Sequence, residues 1–191
     1  MPNWTYNTIT IKGEKDSLKK FMEDAKLYDG KLMFSSWMPT PATYCKYDTT
    51  NHPDGKGLKV GEELFTGLPE LNGTIITEEL IEEYKQATKE QKEKYGAVGW
   101  YDYNVMTFGC KWDCEITVDS ESDEEIVFLC DTPWSAPSNW LIKLSEKYQD
   151  LSFSIHALYE DGLWEDKDYE QGQEWLVDSG EEDFDIETEN Y

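Results

Sequence analysis

Basic residues are scarce in this chain of 191 residues: 17 Lys and Arg stand against 41 Asp and Glu, which gives a formal net charge of −24. That magnitude is far beyond the roughly 2 to 8 that keeps a small domain soluble. A field of this sign repels nucleic acid and anionic membranes, and it attracts basic protein surfaces. Aromatic residues still make up 14% of the chain, unlike a disordered acidic protein. The composition therefore predicts a folded acidic protein.

Long apolar runs are also absent from the sequence. None approaches the ~20 residues that a membrane-spanning helix needs. The opening MPNWTYNTIT does not have the pattern of a secretory leader. We therefore expect a soluble, cytoplasmic protein.

The even number of cysteines, four, leaves disulfide pairing as an alternative to free thiols. They stand at Cys45, Cys110, Cys114 and Cys130. Cys114 and Cys130 fall in the apolar phase of predicted strands, where a free thiol packs as a small hydrophobic group. The spacing of Cys110 and Cys114 lacks further metal ligands. We predict reduced, structural thiols and no metal site.

Residue patterns typical of catalysis are lacking as well. His52 and His156 are the only imidazoles; His52 lies in an irregular connection and His156 on the outer side of a predicted strand. The stretch DSESDEE has the acidity of a calcium loop without its central Gly, and GKGLKVG has no Walker ending. We therefore predict a protein that is not an enzyme and has no cofactor.

The clearest structural pattern runs from Phe108 to Gly162. Alternation from Trp112 to Val118 predicts a strand with one buried face. Residues 125–131 predict a central strand, apolar on both sides and therefore covered on both. A helix follows, for which Ser135 is the predicted cap. The apolar stripe of this helix is formed by Leu141, Leu144 and Tyr148. A closing strand is formed by Leu151, Phe153, Ile155 and Ala157.

The N-terminal part of the chain predicts a β-α-β unit. Residues 4–12 alternate as a strand. A helix starts near Asp16 or Ser17 and carries an apolar stripe as far as Tyr28, and Asp29-Gly30 ends it. Residues 31–38 then predict a second strand, which Pro39 and Pro41 close.

Residues 40–107 differ from the rest of the chain in composition and in apolar periodicity. The stretch 40–74 is rich in Pro, Gly and Thr and has no lasting period, so it predicts a long irregular connection. Thr77 is the predicted cap of a charged helix over 77–95, and a short aromatic helix precedes Phe108. The segment has few apolar residues, so we expect an insertion without a core of its own.

Together these elements predict an α+β fold. The order β-α-β, insertion, β-β-α-β predicts one ferredoxin-like sheet with helices packed on one face. Residues 1–39 and 108–162 form the split domain, 40–107 the insertion, and 163–191 an acidic C-terminal extension.

Several short motifs resemble one known family. They are MPNW..NT.TI.G at Met1–Gly13, FGCKWD at Phe108–Asp113, PWSAP at Pro133–Pro137, and LSEKYQDLSFSIHALYEDG at Leu144–Gly162. In this order they are similar to the YubB-like ferredoxin-fold family, over about two thirds of the chain. The resemblance implies the fold and an origin in phages or conjugative plasmids. It implies no catalytic residues, and Gly109 and Cys110 depart from the family pattern.

The end of the chain concentrates the acidity. From Tyr159 to Tyr191 there are 14 Asp or Glu and one Lys, a net −13. Carboxylates in a fixed array can imitate the phosphates of nucleic acid, and nearby Trp or Tyr can supply anchors. The predicted partner-binding residues are Glu165, Asp166, Asp168, Glu170, Glu174, Trp175, Asp178, Glu181, Glu182, Asp183, Asp185, Glu187 and Glu189.

Our leading functional hypothesis is an anti-defence protein of a phage or plasmid. Its acidic, nucleic-acid-mimicking surface would bind the basic groove of a host CRISPR effector or restriction-type nuclease in the host cytoplasm. We expect no direct binding of nucleic acid and no membrane partner.

Two alternatives to mimicry remain. An exposed sheet face carrying Trp4, Tyr6 and Trp112 could stack single-stranded bases, as RRM domains do. The chain could also be an accessory structural protein of a mobile element, with its acidity serving solubility. For the C-terminal stretch itself, the alternative is a solvated tail.

Overall fold

The computed structural model describes residues 3–66 and 68–181, apart from the side chains of Cys45 and Glu70. Within these residues, the strands are β1 (Trp4–Gly13), β2 (Leu32–Met33), β3 (Glu115–Glu121), β4 (Glu125–Pro133), β5 (Leu151–Tyr159), β6 (Leu163–Glu170) and β7 (Gln173–Glu181). The helices are α1 (Lys15–Glu23), α2 (Thr43–Lys46), α3 (Glu78–Tyr95), α4 (Trp100–Phe108) and α5 (Ser138–Lys147).

All seven strands belong to one antiparallel sheet, in the order β2-β3-β4-β1-β5-β6-β7. Helices α1 and α5 pack on one face of it. Alternation in β1 explains this arrangement, because Thr5, Asn7, Ile9 and Ile11 are buried whereas Tyr6 and Thr8 are exposed. The predicted α+β sheet with helices on one face is therefore confirmed.

Aromatic side chains fill the space between the sheet and the helices. Phe21 of α1 stacks on Trp37 with ring centroids 4.8 Å apart. Phe34 packs against Trp140 of α5 at 4.7 Å, and the Trp140 Nε1–H donates to the Phe34 carbonyl. These rings are buried almost completely, so the core between the sheet and α1 and α5 is largely aromatic.

The chain divides into two compact units, Met1–Trp37 with Phe108–Tyr191, and Met38–Thr107. In the second unit, Thr77 caps α3 through Oγ1, which accepts from the Leu80 N–H, and Gly96 ends the helix with φ of 75°. Leu64, Ile76 and Tyr84 form a small buried cluster there. The expectation that this segment lacks a core was therefore wrong.

Two predicted boundaries near the N-terminus were also wrong. Helix α1 ends at Glu23 and does not reach Tyr28, because the Lys26 N–H donates to the Ser36 carbonyl instead of continuing the helix. The predicted strand 31–38 is two residues long and is followed by a 3₁₀ turn, Phe34–Ser36. This 3₁₀ turn places both Phe34 and Trp37 in the core. In a straight strand these two residues, three apart in sequence, would point to opposite faces.

In the second half, three details differ from the prediction. Strand β4 is interior but covered on one face only, since Leu129 is 39% exposed. Strand β3 begins at Glu115, and Val118, which was predicted to be buried, is 37% exposed next to a register shift. Ser135 does not cap α5; its Oγ donates to the Gly109 carbonyl, and Pro137 precedes the helix.

The acidic stretch after Gly162 differs most from the prediction. We expected an extension beyond the sheet, whereas β6 and β7 add two strands to it. Gln171 and Gly172 join them in a two-residue turn with positive φ at both residues, 51° and 78°. Tyr169 is fully buried and secures this hairpin to the core. Residues 182–191 lie outside the described residues.

Candidate binding surface on the open face of the sheet

On the side of the sheet opposite α1 and α5, the side chains of Tyr6, Thr8 and Leu129 form an exposed face. We call it the open face. It carries two features: the acidic hairpin, which is residues 163–181, and the tryptophan pocket, which lies beside Trp4 and Trp112.

The register of β6 determines which of its side chains reach the open face. Tyr169 pairs with Phe153, and its hydroxyl lies 2.9 Å from Ser138 Oγ of α5. Odd-numbered residues of β6 therefore face the helices. The even-numbered residues face the opposite way, and they are Trp164, Asp166, Asp168 and Glu170.

Two of the predicted partner-binding residues, Glu165 and Glu174, are paired with a lysine on the helix side. Lys167 Nζ is 2.9 Å from Glu165 Oε1 and 3.6 Å from Glu174 Oε1, and these side chains are largely shielded from water. The Tyr159 hydroxyl also donates to Glu165 at 2.7 Å. Burial and this bond raise the pKa of Tyr159. Glu165 and Glu174 therefore do not belong to an outward-facing array.

A register shift brings further predicted residues onto the open face. It falls between Asp166 and Lys167, so Asp166 lies opposite Asp178 whereas Asp168 lies opposite Trp175. Without this bulge, positions 175 and 178 would point to opposite faces. Glu181 pairs with Leu163 and so lies on the helix side. The sequence contains no pattern from which we could have predicted the bulge.

The open side of the hairpin thus carries a row of carboxylates. Asp166, Asp168 and Glu170 follow one another at every second residue of β6, a spacing of about 6.6 Å, and Asp178 stands across from Asp166. His156 Nδ1 is 2.7 Å from Asp166 Oδ1. The remaining predicted residues, Glu182, Asp183, Asp185, Glu187 and Glu189, lie outside the described residues.

Indole rings accompany the carboxylates. Trp164 lies over Gly180, where an added Cβ would stand 2.8 Å from the indole. Its ring centroid is 5.8 Å from that of His156. Trp175, one of the predicted residues, is 46% exposed. The hairpin therefore combines negative charge with aromatic surface.

The tryptophan pocket lies on the open face near β3 and β4. It is an open pocket of about 720 Å³, lined by Trp4, Trp112, Asp113, Cys114, Glu115, Thr117, Leu129, Cys130 and Asp131. The ring centroids of Trp4 and Trp112 are 5.9 Å apart, and Trp134 continues the cluster at 6.2 Å from Trp112. Trp134 has a φ of 65° and is 51% exposed. Our sequence analysis did not identify Trp134 as a site residue.

Three carboxylates border this pocket. Asp113 Oδ1 accepts from the Ser35 N–H at 3.0 Å, yet burial raises the pKa of Asp113. Glu115 Oε2 is 2.6 Å from Lys31 Nζ in an exposed pair. Asp131 lies across the ladder from Tyr6, whose ring is 45% exposed. The pocket is thus both aromatic and acidic.

Metal, thiol and imidazole chemistry is limited among the described residues. No group of three or more His, Cys, Asp or Glu there could hold a metal ion. Cys110, Cys114 and Cys130 are buried free thiols, as predicted, and burial raises the pKa of Cys130. His156 is exposed, and the ring nitrogens of His52 contact the carbonyls of Lys56 and Phe65. No helix in the described part of the chain is long and apolar enough to cross a membrane.

Comparison with known proteins bears on the fold. A family model described as "Ferredoxin-like domain in Api92-like protein" matches residues 111–191. The fold is ferredoxin-like. A crystal structure of a protein api92 from Yersinia pseudotuberculosis is 13% identical, over 95% of this chain and 98% of that chain, with a TM-score of 0.49. A search of curated proteins finds no match. The family model confirms the predicted ferredoxin-like fold, and the YubB-like resemblance stays a prediction.

Proposed function

We propose that this protein is a non-enzymatic inhibitor of host defence, carried by a phage or conjugative plasmid as the YubB-like resemblance implies. It acts in the host cytoplasm. Its acidic hairpin binds the basic nucleic-acid groove of a CRISPR effector or a restriction-type nuclease. The groove then no longer accepts its nucleic acid.

One observation carries the proposal: the carboxylates on the open side of the hairpin have no lysine of the hairpin among them. Its single lysine, Lys167, points to the helix side and pairs with Glu165 and Glu174. The carboxylates of Asp166, Asp168, Glu170 and Asp178 are left on the open side, where His156 approaches only Asp166. This arrangement resembles the charge of a phosphate backbone, which a lysine- and arginine-lined groove attracts.

Rigidity of the hairpin supports the same function. Ladders to β5 and between its own strands hold the backbone, and the turn docks on α5 through the Gly172 N–H, which donates to Ser145 Oγ at 3.0 Å. A pre-organised array loses little conformational freedom on binding. Trp164 and Trp175 supply the apolar contacts that charge alone lacks.

The test is a direct binding assay with purified nucleases of both classes. The labelled chain is titrated with each enzyme at low and high salt, with duplex DNA as competitor. We expect fast association that salt weakens and DNA competes away. The variant Asp166→Asn/Asp168→Asn/Glu170→Gln should lose at least about tenfold in affinity for the enzyme that binds.

A matched control separates the array from net charge. Glu82→Gln/Glu90→Gln/Glu93→Gln changes the charge by the same three units on exposed positions of α3. This control should bind as the unmodified chain does. Equal weakening by both triple variants would contradict the proposal, as would no binding to either nuclease class. Thermal unfolding of each variant checks that the fold is retained.

A second candidate, single-stranded nucleic-acid binding, is favoured by the open-face position of Trp4, Tyr6 and Trp112. Exposed aromatic rings on such a sheet can stack bases. The carboxylates that border the pocket oppose phosphates, so we rank this function second. A labelled single-stranded oligonucleotide distinguishes the two, because saturable binding at physiological salt supports stacking and contradicts mimicry.

A further inference from the structure

We propose that the tryptophan pocket is a site for an arginine side chain of the partner protein. The inference rests on the proposed function in one respect, since the arginine is taken to come from the same basic groove that the acidic hairpin binds. It adds a second contact on the open face, and it names the chemical group that this contact receives.

The shape of the pocket suits a planar group. Trp4 and Trp112 form two indole surfaces at its side, tilted by 48° to each other. Leu129 and Thr117 pair with each other across the ladder and also line the pocket. A guanidinium group stacks well on an indole, and the aliphatic stem of an arginine can pack against the leucine side chain.

The charge of the pocket indicates a cation. Three of its lining residues are carboxylates, and no lysine or arginine is among the described residues that line it. Glu115 is shared with Lys31, but this pair is exposed and so is weakly held. Among the described residues, no salt bridge involves Asp131. A guanidinium in the pocket could bond to two carboxylate oxygens at once, which an ammonium group cannot do in the same geometry.

The same indole cluster already holds a cation from this chain. Lys111 Nζ lies 5.3 Å from the ring centroid of Trp112 and 5.3 Å from that of Trp134. These distances are within the range at which a cation is attracted to an aromatic face. This contact is independent of the carboxylates, and it indicates that the aromatic surface itself attracts positive charge. An incoming arginine would use the Trp4 side of the cluster.

The test uses a short peptide, acetyl-Gly-Arg-Gly-amide, and its citrulline counterpart, which has the same shape without the charge. Binding to the full chain is followed by the indole N–H signals of each Trp in ¹H–¹⁵N spectra. We expect saturable shifts of Trp4 and Trp112 with the arginine peptide, at an affinity on the order of millimolar. The citrulline peptide should shift neither signal.

Two variants and two matched controls sharpen this result. Asp131→Asn and Trp112→Leu should each weaken arginine binding by about tenfold or more. Glu90→Gln and Phe65→Leu remove one charge and one exposed ring in the other compact unit and should bind the peptide unchanged. Equal binding of arginine and citrulline, or no shift at all, would overturn the inference. So would shifts of Trp4 and Trp112 by a single-stranded oligonucleotide in place of the peptide.

The inference and the proposed function can fail separately. The hairpin variant Asp166→Asn/Asp168→Asn/Glu170→Gln should keep peptide binding in the pocket while it loses the nuclease. If the peptide binds but no nuclease does, the proposed function is wrong and the arginine site stands. A different result would separate them the other way: the nuclease binds, the peptide shifts no indole signal, and Trp112→Leu leaves the affinity for the nuclease unchanged. The arginine site is then wrong and the proposed function stands.

Discussion

The two faces of the sheet are formed by the same strands, yet one face buries its side chains and the other exposes them. Phe128 and Leu129 are neighbours in β4; Phe128 is fully buried beneath the helices, and Leu129 is 39% exposed on the open face. The helix side contains the core aromatics, and the open side contains carboxylates, indoles and a pocket. The period of two in a strand therefore separates the core residues from the residues of the proposed binding surface.

The two faces also differ in the partners of their polar and charged groups. On the helix side, Asn7 Nδ2 donates to Thr5 O, Cys130 O and Thr132 Oγ1 within 3.0 Å, and Lys167 neutralises Glu165. On the open side, Asp166 stands directly opposite Asp178. A fold needs no such pair of like charges, so their presence is better explained by binding than by stability.

The largest effect that tests this comparison is expected in β4. Phe128→Ala should lower the free energy of unfolding by about 3–5 kcal/mol, because it leaves a cavity beneath the helices. Leu129→Ala, one residue away, should lower it by less than about 1 kcal/mol, because water already reaches that side chain. Urea unfolding followed by circular dichroism measures both. Similar losses from the two variants would show that the open face is covered in solution.

A smaller effect is expected at Asn7 in the middle of β1. Asn7→Ala removes a donor from Cys130 O and Thr132 Oγ1, and we expect a loss of about 1–2 kcal/mol. The Asn7 Oδ1 has no hydrogen-bond partner among the described residues, which limits the net contribution of this amide to the free energy of unfolding. Thr8→Ala, on the open face, is the control and should change stability by less than about 0.5 kcal/mol. An unchanged unfolding midpoint for Asn7→Ala would contradict the role of this network.

Local patterns were sufficient to predict the elements whose burial repeats along the chain. Strands β1 and β5 and helix α3 follow the predicted boundaries closely, because alternating or helical apolar spacing is present in each segment itself. The hypothesis that Trp4, Tyr6 and Trp112 share an exposed face agrees with their positions, since the even phase of β1 opposes the buried Ile9 and Ile11.

The parts that local pattern could not predict depend on contacts between distant segments. Leu32 to Trp37 has the composition of a strand, but Trp37 Nε1 donates to the Phe21 carbonyl, and the chain turns to place both Phe34 and Trp37 in the core. Strands β6 and β7 are so acidic that composition favours a solvated tail, whereas Tyr169 and pairing to β5 hold them in the sheet. The bulge after Asp166 has no local signal.

The smallest effect, and the one that links the two faces to function, is expected at Asp178. Asp178→Asn removes the like charge opposite Asp166 while the Ser179 N–H keeps its acceptor, so we expect a gain of up to about 0.5 kcal/mol at low salt. The gain should shrink as salt screens the pair. The same variant should weaken binding to the partner nuclease, so that stability rises as affinity falls. A loss of stability would indicate that the carboxylate contributes to the fold, and the open face would then not be reserved for a partner.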